Sequence, residues 1–213
     1  RILNYPYATI HESEIVKHSL TNKERNFIRD ENFLPREQLF ICPNQFIKRK
    51  NNLSLIKQFK GQKFNLLLVG NGPLKNRYIR YIKRHNYQNV FVWDFLEKQK
   101  LMEIMKSCDG LISLSKYDIY GHTIIEGMAA GLTVYASKNI VSANEIIKNG
   151  INGYILKKDK DLIKCIHKSD EISKASIHST IKKYTIENSA KTLANFRNQL
   201  FKHKKELTLA SEL

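Results

Sequence analysis

Two carboxylates stand eight residues apart in the stretch YDIYGHTIIEGMAAG, Tyr117 to Gly131. Asp118 precedes an aromatic–glycine turn, and Glu126 follows it. Gly121 lets the chain turn sharply and lets a ligand approach the backbone. The apolar spacing after it predicts a helix. The first amides of that helix, at Gly121, His122 and Thr123, would then face a crevice as an anion nest. Glu126 falls just over one turn into the helix, where its carboxylate could accept hydrogen bonds from sugar hydroxyls. Asp118, in the loop, could do the same for a second sugar. The plainer alternatives are a helix cap for Asp118 and a solvated or ion-paired Glu126. Spacing alone does not separate these readings.

A second loaded stretch is NQFIKRKNN, Asn44 to Asn52. Lys48, Arg49 and Lys50 sit just before a predicted helix. Cations there oppose the helix macrodipole at a cost of roughly 0.3–1 kcal/mol per exposed charge, and an anion shared with the helix end reverses that cost. Three solvated charges on a surface turn would also satisfy the pattern. The turn VGNGP, Val69 to Pro73, has a glycine pair but lacks the third glycine of a dinucleotide fingerprint and the lysine of a P-loop. It reads as a tight turn, with Gly72, lining one wall of a crevice. His122 could take part in catalysis, although a lone histidine beside a glycine turn is commonly incidental.

These residues need a scaffold. From Leu39 a rhythm of short apolar strands and helices begins: LFICP, FNLLLVG, NVFVW, GLISLS, LTVYAS and NGYIL, with a helix after each. Alternation of this kind, with strands apolar on both faces, predicts a parallel sheet covered on both sides. The expected fold class is α/β, a doubly wound, Rossmann-like parallel sheet of about six strands with C-terminal helices. In such sheets ligands bind beyond the carboxyl ends of the strands, where strand order reverses. With the usual order, the loops after LFICP and GLISLS are neighbours there. Before the sheet, NYPYATIHESEI reads as extended and SLTNKERNFIRDENF as a short helix capped by Ser19, Thr21 or Asn22.

Composition bounds the partners. The 213 residues carry a net charge of +16, with 42% hydrophobic and 10% aromatic residues. This suits a packed domain and excludes low-complexity disorder. The surplus charge, read as spread along the chain, favours nucleic acid, anionic lipid or a phosphate-bearing ligand. Aromatic residues form no paired stacking platform for single-stranded nucleic acid. Three separated cysteines, Cys42, Cys108 and Cys165, support neither a disulfide framework nor a zinc site. No apolar run has the ~18–20 residues of a membrane span. The chain starts at Arg1, and the expectation is a fragment.

The block SKYDIYGHTIIEGMAAGLTVYASKNIVSANEIIKNGINGYIL resembles the donor-binding half of family 4 retaining glycosyltransferases, which have the GT-B fold. NQFIKRKN resembles the basic loop of that family, VGNGP its second-strand turn, and NYPYATIHESEI the connector of bacterial capsular and exopolysaccharide enzymes. The resemblance runs from about Asn4 to Leu156. It implies transfer of a sugar from a nucleotide-sugar with retained configuration, without a metal or other cofactor. It maps the paired acids of the family to Asp118, for the donor sugar, and Glu126, for the ribose. It maps the diphosphate grip to Lys50, with Gln45 at the usual arginine position and Arg49 nearby. The amides after Gly121 would hold phosphate, and Asp94 lies near the expected place of the base. Departures from the family pattern are Asp118 in place of Glu, the uncharged Gln45, Gly127, and Leu132–Thr133.

The implied division is a connector and short helix over 1–37, a nucleotide-sugar-binding domain over 38–170, and C-terminal helices over 171–213. The implied partners are a nucleotide-sugar donor, a glycan or lipid-linked acceptor, and an N-terminal acceptor domain outside this chain. The expected place is cytoplasmic, with peripheral contact at the inner face of the membrane. Nucleic acid is not an expected partner. The competing readings are a basic nucleic-acid-binding module and a noncatalytic transferase-like interaction domain.

Overall fold

The computed structural model describes residues 8–211, with side chains as far as residue 201 except at 170. Asn4 to Tyr7 of the expected connector lie outside the described residues. From Ile10 the connector pairs by a single parallel bridge with Thr185 and then makes a short 3-10 turn over Glu12–Glu14. Helix α1, Asn22–Glu31, follows. Of the three expected caps, Thr21 serves. Its hydroxyl accepts the Glu24 amide at 3.3 Å, and the Glu24 carboxylate accepts the Thr21 amide at 2.8 Å. This reciprocal box satisfies two amides that the first turn leaves without partners.

The six strands are β1 Leu39–Pro43, β2 Asn65–Val69, β3 Val90–Trp93, β4 Gly110–Ser113, β5 Thr133–Ser137 and β6 Gly153–Leu156. They form one parallel sheet in the order β3-β2-β1-β4-β5-β6. Strands β1, β2, β4 and β5 are buried at every position, as all-apolar runs require. Ile41 of β1 faces Leu67 of β2 on one side and Leu111 of β4 on the other. Order therefore reverses between β1 and β4, the arrangement the sequence leads one to expect. The linking helices are α2 Asn52–Gln58, α3 Lys75–Arg84, α4 Lys98–Ser107, α5 His122–Ala129 and α6 Val141–Ile146. Three more follow the sheet: α7 Leu162–Ile166, α8 Lys174–Ile181 and α9 Ile186–Ser211. Pro73 lies in the turn before α3 rather than in its first turn.

The core is continuous from α1 to α8. Phe40 sits at its centre, edge-on to Phe59, Phe64 and Tyr135 with centroids 5.4–6.3 Å apart. At the amino edge of the sheet, Asp109 accepts from Arg29 at 2.8 Å, from Arg25 at 2.5 Å and from the Leu39 amide at 2.7 Å. The buried Arg29 guanidinium also donates to the Ser107 carbonyl at 2.5 and 2.9 Å. This buried charge is thus both paired and hydrogen-bonded, the condition under which burial is tolerated. It fastens α1 to the start of β4, leaving the carboxyl edge of the sheet open.

Candidate functional site

The loops after β1 and β4 meet at the carboxyl edge. The first is laced by backbone bonds to the VGNGP turn. The Asn44 amide donates to Val69, the Phe46 amide to Asn71 and the Leu74 amide to Phe46, at 2.8–3.0 Å. The two turn glycines make this contact possible. A Cβ on Gly70 would lie 2.0 Å from the Asn44 carbonyl oxygen, and one on Gly72 would lie 2.8 Å from that of Phe46. Both have φ near +150° (149° and 150°), a conformation side chains avoid. Their first role is close backbone approach.

Beyond this platform the chain forms a 3-10 turn over Lys48–Lys50 and enters α2 through left-handed Asn51. Here the two loops are joined by charge. The Lys50 ammonium pairs directly with the Asp118 carboxylate. Arg49 lies 3.5 Å from the same oxygen and donates to the Tyr117 carbonyl at 3.2 Å. The Lys116 amide donates to the Arg49 carbonyl at 2.8 Å. Burial alone would push the Asp118 carboxyl up. The Lys50 hydrogen bond and charge, the Gly121 amide and Arg49 outweigh it and hold the group below the usual range.

Lys50 and Asp118, expected on separate parts of a ligand, pair with each other in this structure, because strand order places their loops side by side. The Gly121 amide was expected to face the crevice freely, but it donates to the Asp118 carboxylate at 3.4 Å. Gly121 itself is left-handed, with φ 44°. The amides of His122 and Thr123 open α5 just beyond it.

Glu126 has the opposite environment. It is half-buried on α5 and has no hydrogen bond or ion pair to its carboxylate among the described residues. Burial raises its pKa. Lys98 and His122 act against that shift, and Glu14 adds to it. Glu126 lines a cavity of about 520 Å³ together with Gln45, Asn71, Phe95, Lys98 and Thr123. A smaller cavity of about 370 Å³ lies at the amino edge, beside Arg25, Asp109 and Lys174.

The structure therefore brings Gln45, Thr123 and Glu126 together in one cavity wall. It gathers Arg49, Lys50, Asp118 and Gly121 into a charged knot beside it. Gly72 packs under the Phe46 backbone and is absent from the cavity lining. Asp94 is well exposed and pairs with Lys75, while its neighbours Phe95 and Leu96 reach the cavity. His122 is exposed, its ring parallel to that of Tyr120 at 6.2 Å. Sequence reasoning did not single out Lys98 and Glu14. The Lys98 ammonium lies 2.7 Å from the Glu14 carboxylate and 3.2 Å from the Thr9 carbonyl. No local motif marks either residue; only the fold of the connector over the site joins them. Among the described residues, no three His, Cys, Asp or Glu side chains converge as a metal site. No described helix is long and apolar enough to cross a membrane.

A profile of the family described as Glycosyl transferases group 1 matches residues 24–191. Over 114 residues the chain is 25% identical to the "Uncharacterized glycosyltransferase MJ1178" of Methanocaldococcus jannaschii, covering 54% of this chain and 32% of that protein. A glycosyltransferase structure from Rickettsia africae superposes with a TM-score of 0.74 at 20% identity, covering 92% of this chain and 56% of that one. Anabaena Alr3699/HepE, solved in complex with UDP-glucose, superposes at 0.68 with 18% identity, covering 84% and 54%. At these identities the structures establish a shared Rossmann-like, GT-B-type fold. The chain spans about half the length of these structures and about a third of the curated relative.

Proposed function

The chain belongs to the glycosyl transferases group 1 family, and on that premise we propose that it is the donor-binding half of a family 4, retaining glycosyltransferase. Residues 38–170 are the nucleotide-sugar-binding domain, with 1–37 leading into it and 171–213 following. The observation that carries this reading is the cavity over the carboxyl ends of β1, β2 and β3, walled by α5. Its lining presents Glu126, whose carboxylate has no hydrogen bond among the described residues, together with Lys98, and Arg49 and Lys50 lie on the loop that leaves Gln45 of the same lining. A nucleoside-diphosphate sugar needs both: acceptors for hydroxyls and positive charge for phosphate. HepE, solved with UDP-glucose, supports the choice of ligand class.

In this reading Glu126 accepts from the ribose hydroxyls. Lys50, Arg49 and the amides of His122 and Thr123 stabilise charge that develops on the departing diphosphate. Asp118 holds the donor sugar, and engaging the ligand draws Lys50 partly away from it. These groups take the role a metal would otherwise have. The acceptor hydroxyl, from a glycan or lipid-linked glycan, is supplied by a second Rossmann-like domain outside this chain. The setting is bacterial polysaccharide or glycoconjugate synthesis of the capsular kind, in the cytoplasm at the inner membrane face.

Titration calorimetry of the chain with UDP-, GDP- and ADP-sugars tests the reading. Saturable binding of one series, unchanged by a chelator, is expected. Absence of binding by all three would overturn the donor assignment, and binding abolished by the chelator would overturn the metal-free grip.

A further inference from the structure

The positive charge is less evenly spread than the total suggests. From Gln38 to Trp93 the sequence has no Asp or Glu but eleven Lys and Arg residues. The remaining 157 residues hold 25 cations against 20 acids. This carboxylate-free segment is β1, α2, β2, α3 and β3, one half of the sheet. Its two crossovers step in the same direction and are right-handed, so α2 and α3 lie on the same face. They also touch: Lys57 of α2 places its ammonium 5.9 Å over the Tyr81 ring of α3.

Helical spacing then sorts α3 into two arcs. Tyr78 and Ile82 are buried against the sheet, and Arg77, Arg80, Lys83 and Arg84 occupy the opposite, exposed arc. Lys57, Lys60 and Lys63 extend the exposed charge along and beyond α2. None of these seven has a carboxylate partner among the described residues. The cations of the segment that are paired, Arg49, Lys50 and Lys75, all lie at the carboxyl edge, near the site.

We propose that the α2–α3 face docks the protein on an anionic lipid surface. The proposal stands independently of the donor assignment. It rests on charge complementarity: seven cations on one face, without carboxylate partners among the described residues, match a sheet of headgroups, each raising partition roughly fivefold near such a surface. The face carries no exposed large aromatic or aliphatic side chain between residues 38 and 93. It therefore has neither wedges to insert into acyl chains nor a platform to stack bases. The hollow between α2 and α3 is only about 190 Å³, less than a ligand groove needs. The contact is thus at headgroup level, reversible and salt-sensitive. It leaves the carboxyl edge of the sheet, with the donor cavity, opening along the membrane rather than into it.

Vesicle co-sedimentation tests this, using phosphatidylcholine alone and phosphatidylcholine with about 30% phosphatidylglycerol. Binding only to the anionic vesicles is expected, and its loss in 0.5 M salt (roughly a 4 Å Debye length). The triple change Arg77→Gln, Arg80→Gln, Arg84→Gln should lower the partition coefficient on the order of a hundredfold. Lys57→Gln, Lys60→Gln, Lys63→Gln is a second, independent set if the first variant fails to fold. A control set on the other half of the sheet, Lys138→Gln and Lys148→Gln, should change it less than tenfold. Equal binding to neutral vesicles, full binding by both face variants, or binding to a mixed oligonucleotide with none to vesicles would each overturn the proposal.

Discussion

Asp118 and Glu126 belong to one loop–helix unit, yet their surroundings are opposites. Asp118 sits in a knot where Lys50, Arg49 and the Gly121 amide all reach it, and its carboxyl is held acidic. Glu126 lies one turn into α5 against the cavity, with no hydrogen bond among the described residues, and burial pushes its carboxyl up. A side chain whose bonding capacity is already filled contributes to a ligand only by exchange. One that is desolvated without partners gains its full hydrogen bonds on binding. Glu126 should therefore dominate donor affinity, and Asp118, which reaches the donor sugar only in exchange for Lys50, should contribute less.

The largest expected effect follows directly. Glu126→Ala should weaken nucleotide-sugar binding roughly 10- to 100-fold in calorimetry, the worth of a hydrogen bond to a charged group. A loss under threefold would erase the contrast. Next, Lys50→Ala should lower UDP or GDP affinity about tenfold, whereas Asp118→Asn should leave it within about threefold. Thermal unfolding of these two variants and their double should show a coupling of about 1–2 kcal/mol, since the pair is mostly shielded from water. Zero coupling would mean the knot does not hold its parts.

A pH series sharpens the same contrast. The raised pKa of Glu126 means it protonates at a pH where a solvated glutamate stays charged. Donor affinity should fall as pH drops through that raised value, and Glu126→Gln should flatten the profile. For stability the signs differ. The Glu126 contribution is present below its unfolded pKa and is lost as pH rises through the folded one. The Asp118 contribution is present above its unfolded pKa and is lost as pH falls through its lowered folded value. Urea denaturation of Glu126→Gln and Asp118→Asn across pH 3–7, the range bracketing these carboxyl groups, separates the two. The smallest effect is expected at Asp94→Ala. Its side chain is 70% exposed, so its pair with Lys75 should contribute about 0.5 kcal/mol or less and leave donor binding unchanged.

The parallel sheet was legible because LFICP and NLLLV are apolar on both faces, and only a sheet covered on both sides buries such strands. The switch point followed only on the usual strand order, which alternation does not reveal and which the sheet adopts. Glu126 and Thr123 were legible as parts of a helix that opens at a glycine. The Lys50–Asp118 pair was not, because 68 residues separate its members and nothing local predicts that the loops close on each other. Lys98 was hidden for the same reason, its partner lying in the connector. Asp94 shows the reverse: its position in sequence suggested the site, and its side chain pairs with Lys75 and faces solvent, while Phe95 and Leu96 reach the cavity. The absence of carboxylates between residues 38 and 93 was visible from the start, and an averaged net charge concealed it.

The Glu14–Lys98 contact makes the connector a rival of the ligand. One ammonium at the cavity wall is shared between the chain's own leading segment and any anion that enters. An anion that enters the cavity meets an ammonium already serving Glu14 and the Thr9 carbonyl, so its contact with Lys98 is shared with the connector that the Ile10–Thr185 bridge fastens.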